Sequence, residues 1–270
     1  MIRVKKQDIA MIFNEPVINL VTLWTDDYFS LLISYLPKVL SLTKLLKHNP
    51  KIMILKNQNR KYIRNEAFID PIIKYFGIVP RKLNYIHIEY QRIYMARIMI
   101  TPIANCKYIP NQFIKLIRKA VHNIYKFDIN STLTNIIVDD RRGAKARYLS
   151  QSYDIYDELH LLYSKNYNII NYSQYNLKQT VDMFNRCKLF IAPHGSSLTN
   201  ILFMNPGSIV IEIRPQSLHN AWYFSYLASQ IGVKYYSFLS LDPKATLYSN
   251  VCKINLNKLF AIVKENIHLK

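Results

Sequence analysis

Acidic side chains, glycine and cysteine are all scarce in this sequence, and each shortage excludes something. Asp and Glu number 17 against 36 Lys and Arg, which leaves a formal net charge of +19 on 270 residues. A charge of that size favours encounters with anionic partners: nucleic acid, an anionic membrane face or a nucleotide diphosphate. The excess is uneven, with 21 basic and 8 acidic side chains in residues 1–128 and 15 and 9 in 129–270. Three cysteines, Cys106, Cys187 and Cys252, are widely spaced with no CxxC pair, so neither a disulfide framework nor a zinc site is indicated, and a reducing compartment is expected. No apolar run approaches the roughly 18 residues of a membrane span. The first residues, Met1-Ile2-Arg3-Val4-Lys5-Lys6-Gln7-Asp8, are charged, and the apolar stretch after them is broken by Asn14, Glu15 and Pro16, so no signal is expected there and a cytoplasmic setting is favoured. Only 5 glycines occur while Ile, Asn, Lys and Tyr abound, a pattern of coding bias in an AT-rich genome, viral or otherwise. No internal repeat and no Pro/Gly/Ser-rich linker interrupts the chain.

The composition is globular, half of it hydrophobic, and is arranged as alternating short apolar runs and amphipathic stretches. In the N-terminal part, strands are predicted at 16–23, 52–55, 85–88 and 93–100. Helices are predicted at 27–47, 65–76 and 110–126, with Pro37 as a candidate kink in the first. After Phe127-Asp128-Ile129-Asn130 the pattern starts afresh. Strands are predicted at 135–138, 167–170, 188–192, 208–213 and 234–238, with helices at 153–164, 176–187, 196–204, 220–231 and 256–267. Strands that are apolar throughout, separated by helices, indicate a parallel sheet buried on both faces. The reading is of two α/β domains, 1–128 and 129–270, the second better supported.

Leu189 to Pro215 is the most informative stretch. A strand ends at Ala192, Gly195 is expected to turn the chain, and Ser196 or Ser197 to cap a short helix. Asn205-Pro206-Gly207 ends that helix, and the next strand carries Glu212. Helix starts present unpaired N–H groups that suit phosphate, and ligands of open α/β sheets sit beyond the carboxyl ends of strands. On this pattern His194 would donate to a diphosphate oxygen and Glu212 would accept from ribose hydroxyls. The bland alternative is a turn and a strand-end carboxylate. Arg141, Arg142, Lys145 and Arg147 also come after a strand, and either bind phosphate in a bidentate manner or form a solvated charge run. Asp139-Asp140 read as ion-pair partners of the adjoining arginines before they read as ligands of a divalent ion, and Asp26-Asp27 as a helix cap. The 21 tyrosines are spread along the chain and read mostly as core and surface filler.

The segment Leu189-Phe190-Ile191-Ala192-Pro193-His194-Gly195-Ser196-Ser197-Leu198-Thr199-Asn200, continued by Phe203-Met204-Asn205-Pro206-Gly207 and the strand to Glu212, resembles the signature of glycosyltransferase family 61. That family (DUF563-type) includes EGF-domain O-GlcNAc transferases and plant xylosyltransferases. The resemblance extends through Val138–Leu159 and Asn176–Arg186, and loosely to Leu31-Leu32 with Leu36-Pro37-Lys38. It implies a GT-B-like architecture, two Rossmann-like domains with a cleft between them. It implies inverting transfer from a nucleotide sugar, expected to be a UDP-sugar, to a protein or glycan acceptor, with no required metal and no cofactor. The donor-binding residues it points to are Arg141, Arg142, Arg147, His194, Gly195, Ser196, Ser197, Asn200 and Glu212. Where the family has His and Asp near the N-terminus, this chain has Ser30 and Ser34, so Asp26 or Asp27 is left as the candidate for acid–base work. That departure also fits a descendant that binds without catalysing. The net charge leaves a nucleic-acid-binding protein as a third reading, although no RNP-like motif is present.

Overall fold

The computed structural model describes residues 9–20, 28–46, 50–55, 70–78, 84–88, 93–101, 109–126, 128, 130–139, 148–149, 151–172, 175–218, 222–242 and 251–267. The chain divides into two compact units, 1–120 and 121–270, the division falling within the Asn111–Tyr125 helix.

The first unit contains, among the described residues, six strands: β1 (Ile9–Phe13), β2 (Val17–Asn19), β3 (Lys51–Leu55), β4 (Asn84–Ile88), β5 (Ile93–Ala96) and β6 (Met99–Ile100). Four of them form a parallel sheet in the order β4-β3-β2-β6, and β1 pairs with β5, also in parallel. The first predicted helix is present from Tyr28 to Leu46 in segments, and Pro37 shapes it. Proline has no N–H to offer the carbonyl four residues back, and its ring crowds that carbonyl. The turn before it widens to a π-helix over Leu31–Tyr35, in which the Leu36 N–H reaches the Leu31 carbonyl, and Pro37 then sits in the first turn of the α-helix Leu36–Ser41. The run therefore continues through the proline with a change of pitch.

The second unit is built on β7 (Asn135–Val138), β9 (Asn168–Asn171), β10 (Cys187–Pro193), β11 (Ile209–Arg214) and β12 (Lys234–Leu239). A short parallel pair, β8 (Tyr148–Leu149) with β13 (Val251–Cys252), stands apart from them. The five long strands are parallel throughout and ordered β12-β11-β10-β7-β9. Chain order and spatial order diverge at one place. From β7 the chain steps outward to β9, then returns to the other side of β7 to make β10, and continues outward to β12. The topological switch point thus lies between β7 and β10, where an open α/β sheet has its crevice.

Side chains alternate between the two faces of the sheet. One face carries Ile136, Val138, Leu189, Ile191, Ile209, Ile211 and Ile213, packed with Ile155, Leu159 and Tyr163 of the Ser152–Tyr163 helix and Leu259 and Val263 of the Leu256–Asn266 helix. This is an unbroken apolar layer. The other face is apolar at Phe190, whose ring meets Phe184 edge-on at 4.8 Å, but turns polar toward the carboxyl end. Local signals set the helix ends. Asn176 and Gln179 form a reciprocal capping box at the Leu177–Asn185 helix, and Asn255 caps the last helix by accepting from the Lys258 N–H. Gly232 ends the Tyr223–Ile231 helix in the left-handed region at φ 82°.

Candidate active site at the carboxyl edge of the C-terminal sheet

Alternation explains how the polar cluster assembles. Parallel register sets Ala192 of β10 opposite Glu212 of β11, and Glu212 opposite Ser237 of β12. Positions two apart on an extended strand share a face, so His194, Glu212, Arg214, Ser237 and Tyr235 fall on the same side of the sheet. Ala192 offers only a methyl group below the histidine. The chain is still extended as it leaves β10, the His194 N–H bonding the Ile213 carbonyl at 2.7 Å, which aims the imidazole across the seam.

His194 and Glu212 are 5% and 1% exposed, and Nδ1 of the imidazole lies 2.5 Å from Oε1 of the carboxylate. The second carboxylate oxygen accepts from the Tyr235 hydroxyl, and Arg214 Nε is 3.7 Å from it. Arg214 is held in turn by the Ser237 hydroxyl at 2.7 Å and the Leu218 carbonyl at 3.3 Å. On the other side of the ring, Nε2 of His194 is 2.8 Å from the hydroxyl of Tyr223, and the rings of Tyr223 and Phe224 lie edge-on to the imidazole at 5.6 and 5.5 Å. Burial first, and then the charge of Glu212, push the Tyr235 phenol far above its ordinary value, so it stays a donor. The result is a continuous chain from Tyr235 through Glu212 and His194 to Tyr223. The first three members come from sheet strands or their ends, and the last from the start of a helix.

These contacts change the roles expected of the pair. Glu212 faces inward with both oxygens engaged by the protein, so it supports His194 and does not present an open carboxylate to a ribose. His194 already has a polar atom on each ring nitrogen. Tyr223, Tyr235 and Arg214 are the members that the sequence did not single out. Two tyrosines among many carry no local mark, and only strand register and the fold of the next helix bring them to His194.

Gly195 and the serines also differ from expectation. Residue 195 is extended, at φ 170° and ψ 177°, and it occupies the N-cap position with no side chain capping the helix. The helix that it opens, Ser196–Phe203, is a 3₁₀-helix and not an α-helix. Its first turn leaves N–H groups without intrahelical partners. The hydroxyls of Ser197 and Thr199 are buried with no hydrogen-bond partner among the described residues, so neither is used as a cap. Asn200 is wholly buried and donates to the Tyr172 hydroxyl at 3.1 Å, so this amide braces the interior. Asn205 is likewise internal. Its Nδ2 donates to the carbonyls of Asp128 and Asn185 and to the Asn185 side chain, at 2.9–3.0 Å. Gly207 then takes the left-handed conformation, at φ 83°, that reverses the chain into β11.

At the switch point itself, Asp139 directly follows β7 and is buried, its N–H bonded to the Ile191 carbonyl of β10 at 2.9 Å. Tyr172 comes directly after β9, its N–H on the Val138 carbonyl at 2.7 Å, and burial raises its phenol. Arg141, Arg142, Lys145 and Arg147, Asp140, and Asp26 and Asp27 lie outside the described residues. Among the described residues no three His, Cys, Asp or Glu side chains gather as a metal site, and no helix is long and apolar enough to cross a membrane. In the first unit, Ser30, Ser34 and Lys38, four residues apart along the helical run, are all buried.

The chain is similar to one family model and to two known proteins. A family model described as Glycosyltransferase 61 matches residues 13–211, which include β10, His194 and the first half of β11. The Arabidopsis thaliana protein "Xylan glycosyltransferase MUCI21" is 33% identical over 75 residues, 26% of this chain and 15% of its own length. The chain thus spans a small part of that relative. Among solved structures, the E. coli heptosyltransferase WaaC with ADP aligns over 95% of this chain and 100% of its own, at 8% identity and a TM-score of 0.37.

Proposed function

The chain belongs to glycosyltransferase family 61, and we propose that it transfers a sugar from a nucleotide-sugar donor to a protein or glycan acceptor, with inversion at the anomeric carbon. The donor diphosphate lies against the carboxyl edge of β10, beside the switch point between β7 and β10. The N–H groups that open the Ser196–Phe203 helix and the Ser197 hydroxyl, which has no partner among the described residues, face its oxygens. Arg141, Arg142 and Arg147, which follow β7 in sequence, neutralise its charge, since a guanidinium matches phosphate oxygens in pairs. The donor is a UDP-sugar and no metal is required, these arginines supplying the positive charge that a divalent ion would bring.

The observation that carries this reading is the His194–Glu212 pair at the carboxyl edge of adjacent parallel strands, in a chain of this family. A buried carboxylate fixes the orientation of a buried imidazole at the place where such sheets bind ligands. Thermal-shift and calorimetric titration with UDP and GDP test it. Binding of a nucleoside diphosphate raises the melting temperature by mass action, by an amount that grows with the ligand-to-Kd ratio. A melting temperature unmoved by millimolar UDP and GDP would sink the reading.

One observation favours a second reading, binding without transfer. Ser30 and Ser34, which stand where the family has His and Asp, are both buried in the helical run, and a serine there supplies neither a carboxylate nor an imidazole. Release of UDP from a bound donor separates the two readings.

A further inference from the structure

We infer that Tyr223, His194 and Glu212 form a proton relay that accepts the proton of the incoming acceptor hydroxyl, with the Tyr223 phenol as the group that touches substrate. This rests on the transferase reading above, and it supplies the base that Ser30 and Ser34 do not.

The three residues come from three places in the fold: the start of the Tyr223–Ile231 helix, the position directly after β10 and the middle of β11. They meet in the order phenol, imidazole, carboxylate. Tyr223 Oη is 2.8 Å from Nε2, and Glu212 Oε1 is 2.5 Å from Nδ1. A reactive hydroxyl on a base that is itself oriented by a third group is the general arrangement for moving a proton off a weak acid. Exposure sets the direction of travel. His194 and Glu212 are sealed, whereas Tyr223 is only partly buried, so a substrate proton reaches the imidazole through the phenol. The far end is closed. Tyr235 donates to Glu212 Oε2 and keeps its own proton, and Arg214 stands beside the same oxygen, which leaves Oε1 to face Nδ1. Phe224 packs edge-on against the ring and keeps water from the imidazole.

Atoms and electrons balance in the step. The acceptor O–H bond breaks, and its proton passes to the Tyr223 oxygen as the phenol's own proton passes to His194 Nε2. The acceptor oxygen bonds to the anomeric carbon. The bond from that carbon to the diphosphate oxygen breaks, and the nucleoside diphosphate leaves with the electron pair. The imidazolium is held against the Glu212 carboxylate until the proton returns through Tyr223 to solvent. Water entering in place of the acceptor takes the same route and gives donor hydrolysis.

The test measures UDP release from UDP-N-acetylglucosamine, UDP-xylose and UDP-glucose by the full chain, alongside UDP affinity by calorimetry. Tyr223→Phe removes only the hydroxyl and keeps the ring packing. The relay requires UDP release to fall about 100-fold, the lower end for a positioned general base, with the UDP Kd within about twofold of wild type. A purely packing role leaves both unchanged, so a wild-type rate in Tyr223→Phe overturns the relay. A wild-type protein that binds UDP but releases it from none of the three donors overturns it too. A wild-type protein with no affinity for UDP instead removes the donor-site reading beneath it.

Discussion

Nδ1 of His194 stands 2.5 Å from Oε1 of Glu212, across the seam between two parallel strands and eighteen residues away in sequence. The register Ala192–Glu212 and the alternation of side chains make the pair. Five polar side chains share that face of the sheet because they fall at even spacings on three strands in one register.

Removing Glu212 leaves two donors without an acceptor in a sealed setting. Glu212→Ala is expected to cost about 3–5 kcal/mol, the range for breaking a buried charged pair from one side. Glu212→Gln keeps one carbonyl acceptor and is expected to cost less. Urea titration of both variants measures this, and a loss under about 1 kcal/mol for Glu212→Ala contradicts the contact pattern around His194.

Asn205 separates scaffold from site. Its amide bonds the backbone at Asp128 and Asn185 from a position 2% exposed. Asn205→Ala should lower stability by about 1–3 kcal/mol, the cost of stranding buried partners, while leaving the UDP Kd unchanged. A Kd that rises severalfold in the folded variant would move Asn205 into the donor site.

Gly207 is left-handed at φ +83°, with open space where a Cβ would lie. Any cost of Gly207→Ala is therefore conformational, about 1–2 kcal/mol for a non-glycine residue in that region. Equilibrium unfolding reads it directly, and a variant as stable as wild type would place residue 207 elsewhere in φ.

The stability of the fold should decline in alkali. Cys187, Tyr172 and Tyr235 all have their proton held more tightly in the folded chain than in the unfolded one, chiefly by burial. A pKa raised by folding contributes stability that is complete below the unfolded value and is lost as pH rises above it. With ordinary values of 9.0 for the thiol and 10.0 for the phenols, the melting temperature should hold steady to about pH 9 and then fall. Tyr235→Phe should make that fall shallower. A melting temperature that rises between about pH 9 and 11 has the wrong sign.

The three arginines that follow β7 in sequence make a prediction about affinity alone. Replacing Arg141, Arg142 and Arg147 together by alanine should weaken UDP binding about tenfold or more and flatten its salt dependence, because charge-assisted phosphate contacts are lost. If the triple variant binds UDP as wild type does, these arginines do not hold the donor.

How much was legible differs from element to element. The strands at 135–138, 188–192 and 234–238 are short apolar runs with local stops, and they appear at those places with bounds shifted by a residue or so. Asn176 at a helix start and Gly207 at a turn work through neighbouring backbone, so their roles are visible in sequence. Pro37 announced a disturbance but not its form, since a widened turn and a kink both answer a missing N–H. The 196–203 segment has helical composition yet winds as a 3₁₀-helix, a difference of hydrogen-bond register that composition does not encode.

The α/β alternation, the parallel character of the C-terminal sheet and the family were all set out in the order of the amino acids, through residues that act on their own neighbourhood or stand in an unbroken motif. It took the folded arrangement to turn Glu212 inward to His194 and to bring Tyr223, 29 residues beyond His194, to the other side of the ring. Parallel strands carry no turn between them to fix their register, so which side chains face one another is settled by packing on both faces of the sheet at once.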